Sequence, residues 1–509
     1  MDCKIWNMGV MMIKKFLFTN ENIFTFNSGT EISAINRLKM FRKNDVLSKI
    51  VTKNFDTSFI RNILKYGLNK EEVINMYDYF QGFTNIEKKH EYLRYSNIID
   101  KNVYKIVGIN NDISNIERNG NLVAKVHIFP ETFGEIGEVE YYDKFMDVYS
   151  KDIYDYRGYK TKTQYFNPNG ELGHEYLLDI NGKPVIQITH MLADGHLKVT
   201  MIELLDYKGS NYRFKSEDEL FTFFLNEISD ENTIIINDRP SLIESVAKTN
   251  EKVSKYQFLH SNHLNNITNN IYDNLVPLFD DYLKLFSGII VSTLDQKNDL
   301  NKLQNNIKIY VISDFCIMSK YNSEDYDLNN NIAYIGRIFK DKNVDDIIYV
   351  LSYIKEYLKD VHLYIVGYFE SNEYKNHLFN LIKQLKLDNN ITFTGYKFDS
   401  SKKEVINNSK VIIQTSLNES LGISLVEGLS FGKPEVAYDI KYGPNKIIKN
   451  RKNGYLIKPN DKKKMAKKIY KILNDNKIFY RFSKQSLIIS EDFDENHVFG
   501  QWKKLFNDL

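Results

Sequence analysis

Five short apolar segments in the second half of the chain alternate with runs of helical length. The segments are NIAYIG, HLYIVG, ITFTG, KVIIQT and PEVAYD, between Asn331 and Asp439. Strands of a parallel sheet are buried on both faces and are joined by crossover helices. The alternation therefore predicts a doubly wound α/β domain in this part of the chain.

The beginning of the chain shows the same alternation. KKFLFT predicts a buried strand, and a loop containing Gly29 leads into a helical run from Ile32 to Arg42. Strand, glycine loop and helix open a Rossmann-like unit, and the glycine lets a phosphate approach backbone N–H groups. An ordinary strand-to-helix turn is the alternative. Later segments, TIIINDRP, KYQFLHSNH, GIIVSTLDQKNDL and IKIYVISDF, predict further strands of this unit, each with the loop or helix that follows it.

Residues from about 96 to 225 have a different pattern. Polar and apolar residues alternate in YKTKTQYF and EYLLDI, and turn sequences occur at 167–170 and at Asn181-Gly182. Period-two alternation around Asn-Gly is typical of antiparallel hairpins. The sequence thus predicts five segments, namely 11–95 and 226–320 (N-terminal Rossmann-like domain, interrupted), 96–225 (β-rich insertion), 321–485 (C-terminal α/β domain) and 486–509 (C-terminal helix).

Bulk composition excludes several classes of function. The net charge is +2, so no strong field for nucleic acid or membrane is expected. Two cysteines, Cys3 and Cys316, argue against a disulfide or zinc framework. No apolar run has the length of a membrane span. We expect a cytoplasmic protein, with at most peripheral contact at the inner face of the membrane.

The segment NESLGISLVEG carries Glu419 and Glu427, eight positions apart, with Gly422 between them. We interpret it as a glycine-bearing loop that runs into a helix N-terminus, where free N–H groups and a partial positive charge attract anions. Two carboxylates beside an anion site suit a ligand that has both hydroxyls and phosphates, such as a nucleotide sugar. Two glutamates on a helix surface are the alternative.

A second candidate segment is GRIFKDKN, which directly follows a predicted strand. Gly336 precedes Arg337, and Lys342 follows five residues later. A guanidinium and an ammonium in one loop can neutralise a diphosphate through charge-assisted hydrogen bonds, without a metal. A solvated basic loop is the alternative in this lysine-rich chain.

Two histidines, His260 and His263, stand at the end of the predicted strand in FLHSNH. Strand ends line the ligand crevice of α/β sheets, so one imidazole can bind a sugar hydroxyl or orient an acceptor; buried structural histidines are the alternative. No cysteine or further histidine accompanies them, so no metal site is predicted. Asp238 is either an acceptor-side residue or a helix cap, and the Asp-x-Asp spacing of Asp492 and Asp494 is discounted as a metal motif.

Together these segments resemble glycosyltransferase family 4, whose members have the GT-B fold. GRIFKDKN, ESLGISLVE, the following GKP, YDIKYGP and NGYLIKPND carry the resemblance in the C-terminal half. In the N-terminal half, NSGTEISAINRLKMF, INMYDYFQ, YDYRGY, FNPNG and FLHSNH are similar to a bacterial subgroup. That subgroup contains serine-aspartate-repeat and accessory Sec protein glycosyltransferases and teichoic acid α-glucosyltransferases. Glu435 departs from the family pattern, which has an apolar residue after GKP.

The resemblance implies two Rossmann-like domains that face a cleft, retention of anomeric configuration, a UDP-sugar donor and no required metal or other cofactor. It assigns catalytic roles to His260, Glu419, Arg337 and Lys342. It places the donor diphosphate at Arg337 and Lys342, and the ribose at Glu427. The remaining donor-binding residues that it implies are Ser28, Gly29, Thr30, Glu31, Ile32, Gly336, Gly395, Tyr396, Ser420, Leu421, Gly422 and Ile423.

The expected reaction is transfer of GlcNAc, or glucose, from a UDP-sugar to a serine hydroxyl of a repetitive surface protein. Glucosylation of teichoic acid is the alternative reaction. A non-catalytic partner subunit of a glycosyltransferase complex is an alternative of another class, and a lectin-like module built on the β insertion is a third. The insertion is expected to serve as an acceptor platform or as an interface, for a homo-oligomer or for a partner glycosyltransferase subunit.

Overall fold

A computed structural model describes residues 14–89, 94–95, 99–265, 270–303, 306–318 and 329–509 of the 509-residue chain. The described residues form two compact units. The first contains the described residues up to 25 together with 47–255, and the second contains 26–46 and 256–509. The domain boundaries predicted from the sequence remain a prediction.

The first unit contains a parallel sheet with strand order β14-β1-β2-β3. Its strands are β1 (Lys15–Asn20), β2 (Ser48–Thr52), β3 (Val73–Asn75) and β14 (Thr233–Asn237). The predicted strands KKFLFT and TIIIN correspond to β1 and β14, whereas β2 and β3 were not predicted. The helices of this unit are α2 (Phe59–Lys65), α3 (Met76–Gln81), α4 (Glu217–Ile228) and α5 (Ile243–Ala247), with 3₁₀ turns at Lys70–Glu72 and Pro240–Leu242.

The predicted antiparallel insertion is confirmed as a sheet of ten strands in which each strand pairs with its neighbours in sequence. At its turns, Gly170 and Gly182 both have φ of 82°, the left-handed conformation that favours glycine. The strands are β4 (Lys105–Gly108), β5 (Ile113–Arg118), β6 (Asn121–Ile128), β7 (Ile136–Tyr142), β8 (Val148–Tyr154), β9 (Lys160–Phe166), β10 (Leu172–Leu178), β11 (Pro184–Ala193), β12 (His196–Tyr207) and β13 (Ser210–Phe214).

A buried arginine ties this sheet to the parallel part of the first unit. Arg157, between β8 and β9, donates two hydrogen bonds of 2.9 Å to Asp78 of α3. It also donates to Asp155 and to the backbone oxygen of Phe83. A buried charge is tolerated when it is paired and hydrogen-bonded in this way. The contact joins the two segments INMYDYFQ and YDYRGY in the folded chain.

The second unit contains two parallel strand sets. One has the order β15-β16-β17, and the other has six strands in the order β20-β19-β18-β21-β22-β23. Five strands, β18 to β22, coincide with the five apolar segments predicted, and β23 was not predicted. The strands are β15 (Ser254–Leu259), β16 (Gly288–Val291), β17 (Ile309–Val311), β18 (Asn331–Ile335), β19 (His362–Val366), β20 (Ile391–Gly395), β21 (Val411–Gln414), β22 (Glu435–Tyr438) and β23 (Gly454–Ile457).

Helices of the second unit cover both faces of the six-stranded sheet. In β18, Ile332 and Tyr334 belong to one apolar cluster and Ala333 to another, because successive side chains point to opposite faces. The helices are α1 (Gly29–Lys43), α6 (Leu294–Leu303), α7 (Val344–Lys355), α8 (Asn372–Gln384), α9 (Ser400–Asn407), α10 (Ile423–Ser430), α11 (Pro444–Ile447), α12 (Lys462–Asn474), α13 (Asn476–Ser490) and α14 (Glu495–Phe506). Short turns are 3₁₀ at Asp273–Leu275, Leu283–Leu285, Lys340–Lys342 and Glu491–Phe493, and π-helical at Leu278–Tyr282.

The C-terminal helix α14 packs against α1. The ring of Phe41 meets those of Trp502 and Phe506 edge to face, at centroid distances of 5.3 and 5.6 Å. The Arg37 guanidinium lies 5.5 Å from the ring centroids of both Phe258 and Trp502. Edge-to-face and cation–π geometry both favour these contacts. They fix the direction of α1, and with it the position of the helix start at Gly29.

Among the described helices, none combines the length and apolar character that crossing a bilayer requires.

Candidate functional site

A cavity of about 210 Å³ lies within the second unit. Its wall is formed by the carboxyl ends of β18, β19 and β21, the first residues of α1 and α10, and loops that follow β15 and β17. Fourteen of the residues predicted from the sequence line it, namely Ser28, Gly29, Thr30, Ile32, His260, Gly336, Arg337, Lys342, Tyr396, Glu419, Ser420, Gly422, Ile423 and Glu427.

Two helix N-termini meet at this cavity. A Cβ atom built on Gly29, the first residue of α1, would lie 3.5 Å from Cδ1 of Ile423, the first residue of α10. Gly422 precedes α10 with φ of 97°, in the left-handed region. The first N–H groups of a helix lack intrahelical partners, and the helix dipole adds positive potential there. The pair of helix starts therefore forms an anion site suited to phosphate groups.

Glu31 was predicted to line the same pocket, but it is not among the lining residues. Its carboxylate accepts hydrogen bonds from the backbone N of Ser28 at 2.9 Å and from Ser28 Oγ at 2.7 Å. Glu31 is 1% exposed and occupies the third position of α1, where a carboxylate commonly closes a capping box. It stabilises the start of α1, and its neighbours Thr30 and Ile32 line the cavity.

The basic loop after β18 is held in place by Tyr334, whose hydroxyl donates to the backbone oxygen of Arg337 at 2.6 Å. The Arg337 guanidinium lies 4.6 Å from the ring centroid of Phe339 and 3.5 Å from Asp341 Oδ2. Its side chain is 35% exposed, so it can reorient toward a ligand. The loop thus presents a cation to the cavity from a fixed backbone.

Lys342 is paired with one of the two carboxylates. Its Nζ donates to Glu419 Oε1 at 2.8 Å and to the backbone oxygen of Asn418 at 3.3 Å. Gln414 Nε2 donates to the same carboxylate oxygen at 3.2 Å. The side chains of Lys342 and Glu419 are 14% and 15% exposed. The sequence did not predict this pairing, since its two members lie on different strand-end loops.

The second carboxylate, Glu427, is paired with Lys402 of α9. Lys402 lines the cavity and was missed, because its segment SSKKEVINN shows no pattern that distinguishes one lysine from its neighbours. Each carboxylate of the E-x7-E segment is therefore ion-paired with a different lysine. The other lining residues that the sequence did not predict are Asn27, Asp314, Tyr334, Ile335, Val366, Gly367, Tyr368, Lys397, Gln414, Ser416 and Ser424.

His260 follows β15 and lines the cavity, and its side chain is 8% exposed. Its ring stacks on Phe258 with a centroid distance of 4.3 Å, and its Nδ1 lies 3.7 Å from Asp314 Oδ2. His263 does not line the cavity. It is fully buried beside the Tyr442 ring, and neither ring nitrogen has a hydrogen-bond partner among the described residues. Burial lowers the pKa of His263 to about 4, so this histidine is neutral and structural.

Aromatic rings form another part of the wall. Tyr368 and Tyr396 line the cavity, and the Phe26 ring stacks on Tyr368 and tilts against Tyr396, with centroid distances of 5.7 and 5.1 Å. The Tyr396 hydroxyl accepts from the backbone N of Asn27 at 3.3 Å. Planar rings at the edge of a cavity suit a planar base. Two residues predicted to contact the donor, Gly395 and Leu421, are not among the lining residues, and Leu421 is fully buried in an apolar cluster.

The remaining acidic candidates have structural contacts. Asp494 precedes α14, and its carboxylate accepts from the backbone N of His497 at 2.8 Å, which is an N-cap bond. Asp238, 1% exposed in the first unit, accepts from Asn20 Nδ2 at 3.2 Å. Within the described ranges, no group of three or more His, Cys, Asp or Glu residues is arranged to hold a metal ion.

Comparison with known proteins relates this chain to glycosyltransferases. Residues 319–487 match the family described as "Glycosyl transferases group 1". Poly(ribitol-phosphate) alpha-N-acetylglucosaminyltransferase of Staphylococcus aureus is 24% identical over 97% of this chain and 100% of its own length. The GtfA subunit of a UDP-N-acetylglucosamine–peptide N-acetylglucosaminyltransferase of Streptococcus agalactiae is 24% identical over 86% of both chains.

The crystal structure of the pneumococcal O-GlcNAc transferase GtfA, in complex with UDP and GlcNAc, is similar with a TM-score of 0.85. The similarity covers 97% of this chain and 99% of that one at 19% identity. The chain has the GT-B fold. The fold predicted from the sequence is thus confirmed, and the predicted enzyme class, a glycosyltransferase, is supported by the family model and the relatives.

Proposed function

We propose that this protein is a retaining glycosyltransferase of family 4 that transfers GlcNAc from UDP-GlcNAc to a hydroxyl group. The observation that carries the proposal is the cavity itself, which is lined by two helix N-termini, four cationic side chains and three carboxylates. Phosphates, sugar hydroxyls and a base are the groups that such a set of partners recognises. Glucose in place of GlcNAc is the alternative donor sugar.

The diphosphate binds at the starts of α1 and α10, with Arg337 and Lys342 as its cationic partners. As the bond to the anomeric carbon breaks, negative charge develops on the departing UDP. Preorganised cations and backbone N–H groups stabilise that charge most in a site that excludes water. These groups supply what a divalent cation supplies in other transferases, so no metal or other cofactor is required.

Glu427 binds the ribose hydroxyls, and the ring of Tyr396 borders the base. Glu419 and the neighbouring backbone of Gly422 and Ile423 face the donor sugar. His260 lies beside the sugar and the attacking hydroxyl, where an imidazole can accept or donate a hydrogen bond.

The acceptor is a serine hydroxyl of a repetitive protein or a hydroxyl of a polyol-phosphate polymer. The streptococcal relative is named for a peptide acceptor. The staphylococcal relative, named for poly(ribitol-phosphate), aligns over its entire length. Because each relative is 24% identical to this chain, sequence identity does not separate the two acceptors.

The ten-stranded insertion provides the acceptor platform or an interface with another subunit. A chain of the solved GtfA/B complex is similar to this chain with a TM-score of 0.78 at 18% identity. A non-catalytic stabilising subunit is therefore a second candidate function. The retained Arg337, Lys342, Glu419 and Glu427 favour the catalytic function, because a stabilising subunit has no need of a donor site.

The test is a UDP-release assay on the purified full chain. UDP-GlcNAc and UDP-glucose are each combined with a serine-rich peptide, with poly(ribitol phosphate) and with no acceptor. We expect UDP release with UDP-GlcNAc that depends on one acceptor, and the acceptor that gives release identifies the polymer class. Absence of release in every combination, together with tight binding to a related glycosyltransferase chain, would favour the stabilising role.

A further inference from the structure

Asp314 lines the cavity, and the proposed function assigns it no part in binding the donor or the acceptor. It follows β17 and its side chain is 4% exposed. One carboxylate oxygen, Oδ2, accepts from Ser420 Oγ at 3.3 Å and lies 3.7 Å from His260 Nδ1. The carboxylate therefore stands between the histidine and the loop that carries Glu419.

The backbone on either side of Asp314 is fixed by two helices. Asn36 of α1 exchanges two hydrogen bonds with the backbone of Cys316, at 2.8 and 2.9 Å. Gln501 of α14 accepts from the backbone N of Ser313 at 2.8 Å. The loop that carries Asp314 is thus hydrogen-bonded to α1, the helix whose first residues line the cavity. A group that orients another needs a rigid support of this kind.

Stacking on Phe258 fixes the plane of the His260 ring, but it does not determine which ring nitrogen carries the proton. Asp314 Oδ2 lies 3.7 Å from Nδ1, which is beyond hydrogen-bond distance, but a carboxylate facing Nδ1 attracts an N–H at that position and so favours the proton there. With the proton on Nδ1, the other nitrogen, Nε2, can accept a hydrogen bond from a sugar hydroxyl.

The remaining contacts of Asp314 do not explain its burial. Its second oxygen, Oδ1, is buried and has no hydrogen-bond partner among the described residues. Burying a carboxylate that is only partly satisfied is unfavourable, so such a group is commonly retained for function. Lys446 balances part of the charge. Burial lowers the pKa of Lys446 to about 8, and Asp314 is the carboxylate that most opposes this shift.

We propose that Asp314 is a positioning residue for His260, which holds the ring as the Nδ1–H tautomer so that Nε2 meets the donor sugar. The inference rests on the proposed glycosyltransferase function and adds to it a residue that acts through the histidine. Asp314 contributes to turnover and not to the affinity for UDP.

The experiment compares Asp314→Asn, Asp314→Ala, His260→Ala and the double variant His260→Ala/Asp314→Ala in the full chain. We expect kcat of both single Asp314 variants to fall about 10- to 100-fold with KM for UDP-GlcNAc little changed, since a group facing Nδ1 sets the tautomer of a catalytic imidazole. The asparagine side chain in Asp314→Asn is isosteric with the aspartate, but its amide can donate to Nδ1 and favour the opposite tautomer. In the His260→Ala background, removal of Asp314 should have no further effect on kcat.

Asp299→Asn is the matched control, because Asp299 is an ion-paired aspartate of the same unit that does not line the cavity. It should leave kcat unchanged. Full activity of Asp314→Asn would overturn the inference. Losses of kcat in the two single alanine variants that multiply in the double variant would overturn it as well. In either case, turnover by the wild type would still support the proposed function. A wild-type chain that releases no UDP with any donor would refute the proposed function instead.

Discussion

The Nζ atom of Lys342 donates a hydrogen bond of 2.8 Å to Oε1 of Glu419. The pair joins the diphosphate end of the proposed donor site to its sugar end. Because Glu419 already holds the Lys342 ammonium at the cavity wall, the ammonium can donate a hydrogen bond to a bound phosphate without a large movement of the side chain. Such preorganisation is how charged groups stabilise a leaving group most effectively.

Lys342→Ala should reduce kcat/KM for UDP-GlcNAc by about 100-fold or more, because a preorganised partner of the developing negative charge is lost. The melting temperature should fall moderately and the chain should stay folded, because the change leaves the largely buried Glu419 carboxylate without its cation but still hydrogen-bonded to Gln414. Steady-state UDP release and a melting curve check both points. Lys340→Ala is the control, since Lys340 stands two residues away and does not line the cavity. Equal activity of the two variants would contradict the assignment of Lys342.

Lys402→Met should weaken binding of UDP by about tenfold while kcat at saturation changes less. The substitution removes the cationic partner of Glu427 and leaves that carboxylate half-buried and unpaired, so its orientation toward the ribose is lost. Calorimetric titration with UDP measures the effect. Lys403→Met is the neighbouring control, because Lys403 pairs with the exposed Asp399. A Kd for Lys402→Met equal to that of Lys403→Met would show that Lys402 has no part in donor binding.

Glu435 makes stability depend on pH. Both its carboxylate oxygens are buried without a hydrogen-bond partner among the described residues, and burial raises the pKa well above 4.5. Folding therefore favours the protonated form. The contribution of Glu435 to the free energy of unfolding is therefore highest below the ordinary pKa and falls as pH rises toward the folded-state pKa.

Glu435→Gln should remove this dependence. The free energy of unfolding of the variant should therefore increase relative to that of the wild type as pH rises, by about 1–3 kcal/mol at pH 8. Urea unfolding of both proteins at pH 5 and pH 8 measures the difference. A constant difference between the two proteins over this range would rule out a buried, protonated Glu435. That result would not affect the assignment of the donor site, because Glu435 does not line the cavity.

Gly367→Ala should destabilise the protein and remove activity. A Cβ atom on Gly367 would lie 1.9 Å from the backbone oxygen of Gly336, so the end of β19 would be forced away from the loop that carries Arg337. A clash with backbone cannot be relieved by rotating a side chain, and overpacking costs about 1–3 kcal/mol or more. Melting temperature and UDP release are the measurements. Gly500→Ala in α14, where a Cβ meets nothing within 4 Å, should be neutral or stabilising. A melting temperature of Gly367→Ala equal to that of the wild type would show that the backbone is not close-packed there.

The strands β18 to β22 could be predicted because each is a short, mainly apolar run and runs of helical length separate them, a pattern typical of a parallel sheet. Strand β3 was not predicted, because only Val73 and Ile74 are apolar in this segment, between Glu72 and Asn75. The resemblance to glycosyltransferase family 4 placed Gly29, Arg337 and Glu427 in one site, and in the structure all three line the same cavity.

The side-chain pairs that form between different loops could not be predicted from the sequence. Lys402 has no distinguishing neighbours, and its contact with Glu427 depends on how α9 packs. Asp314 is one aspartate in a loop without a motif, and its approach to His260 arises from the spatial order of β15 and β17. The resemblance assigned Glu31 to the cavity together with its neighbours, whereas its carboxylate accepts hydrogen bonds from Ser28. The sequence therefore indicated which segments lie near one another. Which individual side chains form pairs depends on tertiary packing.

In the proposed function, this cavity binds the diphosphate of a UDP-sugar with protein cations and helix N-termini. Calorimetric titration of the wild type and of Arg337→Ala/Lys342→Ala with UDP, in buffer containing EDTA, tests it directly. We expect the wild type to bind UDP under chelation and the double variant to lose at least about 100-fold in affinity, because two charge-assisted contacts are removed. Equal affinity of the two proteins for UDP, or binding by the wild type only after a divalent cation is added, would contradict the account.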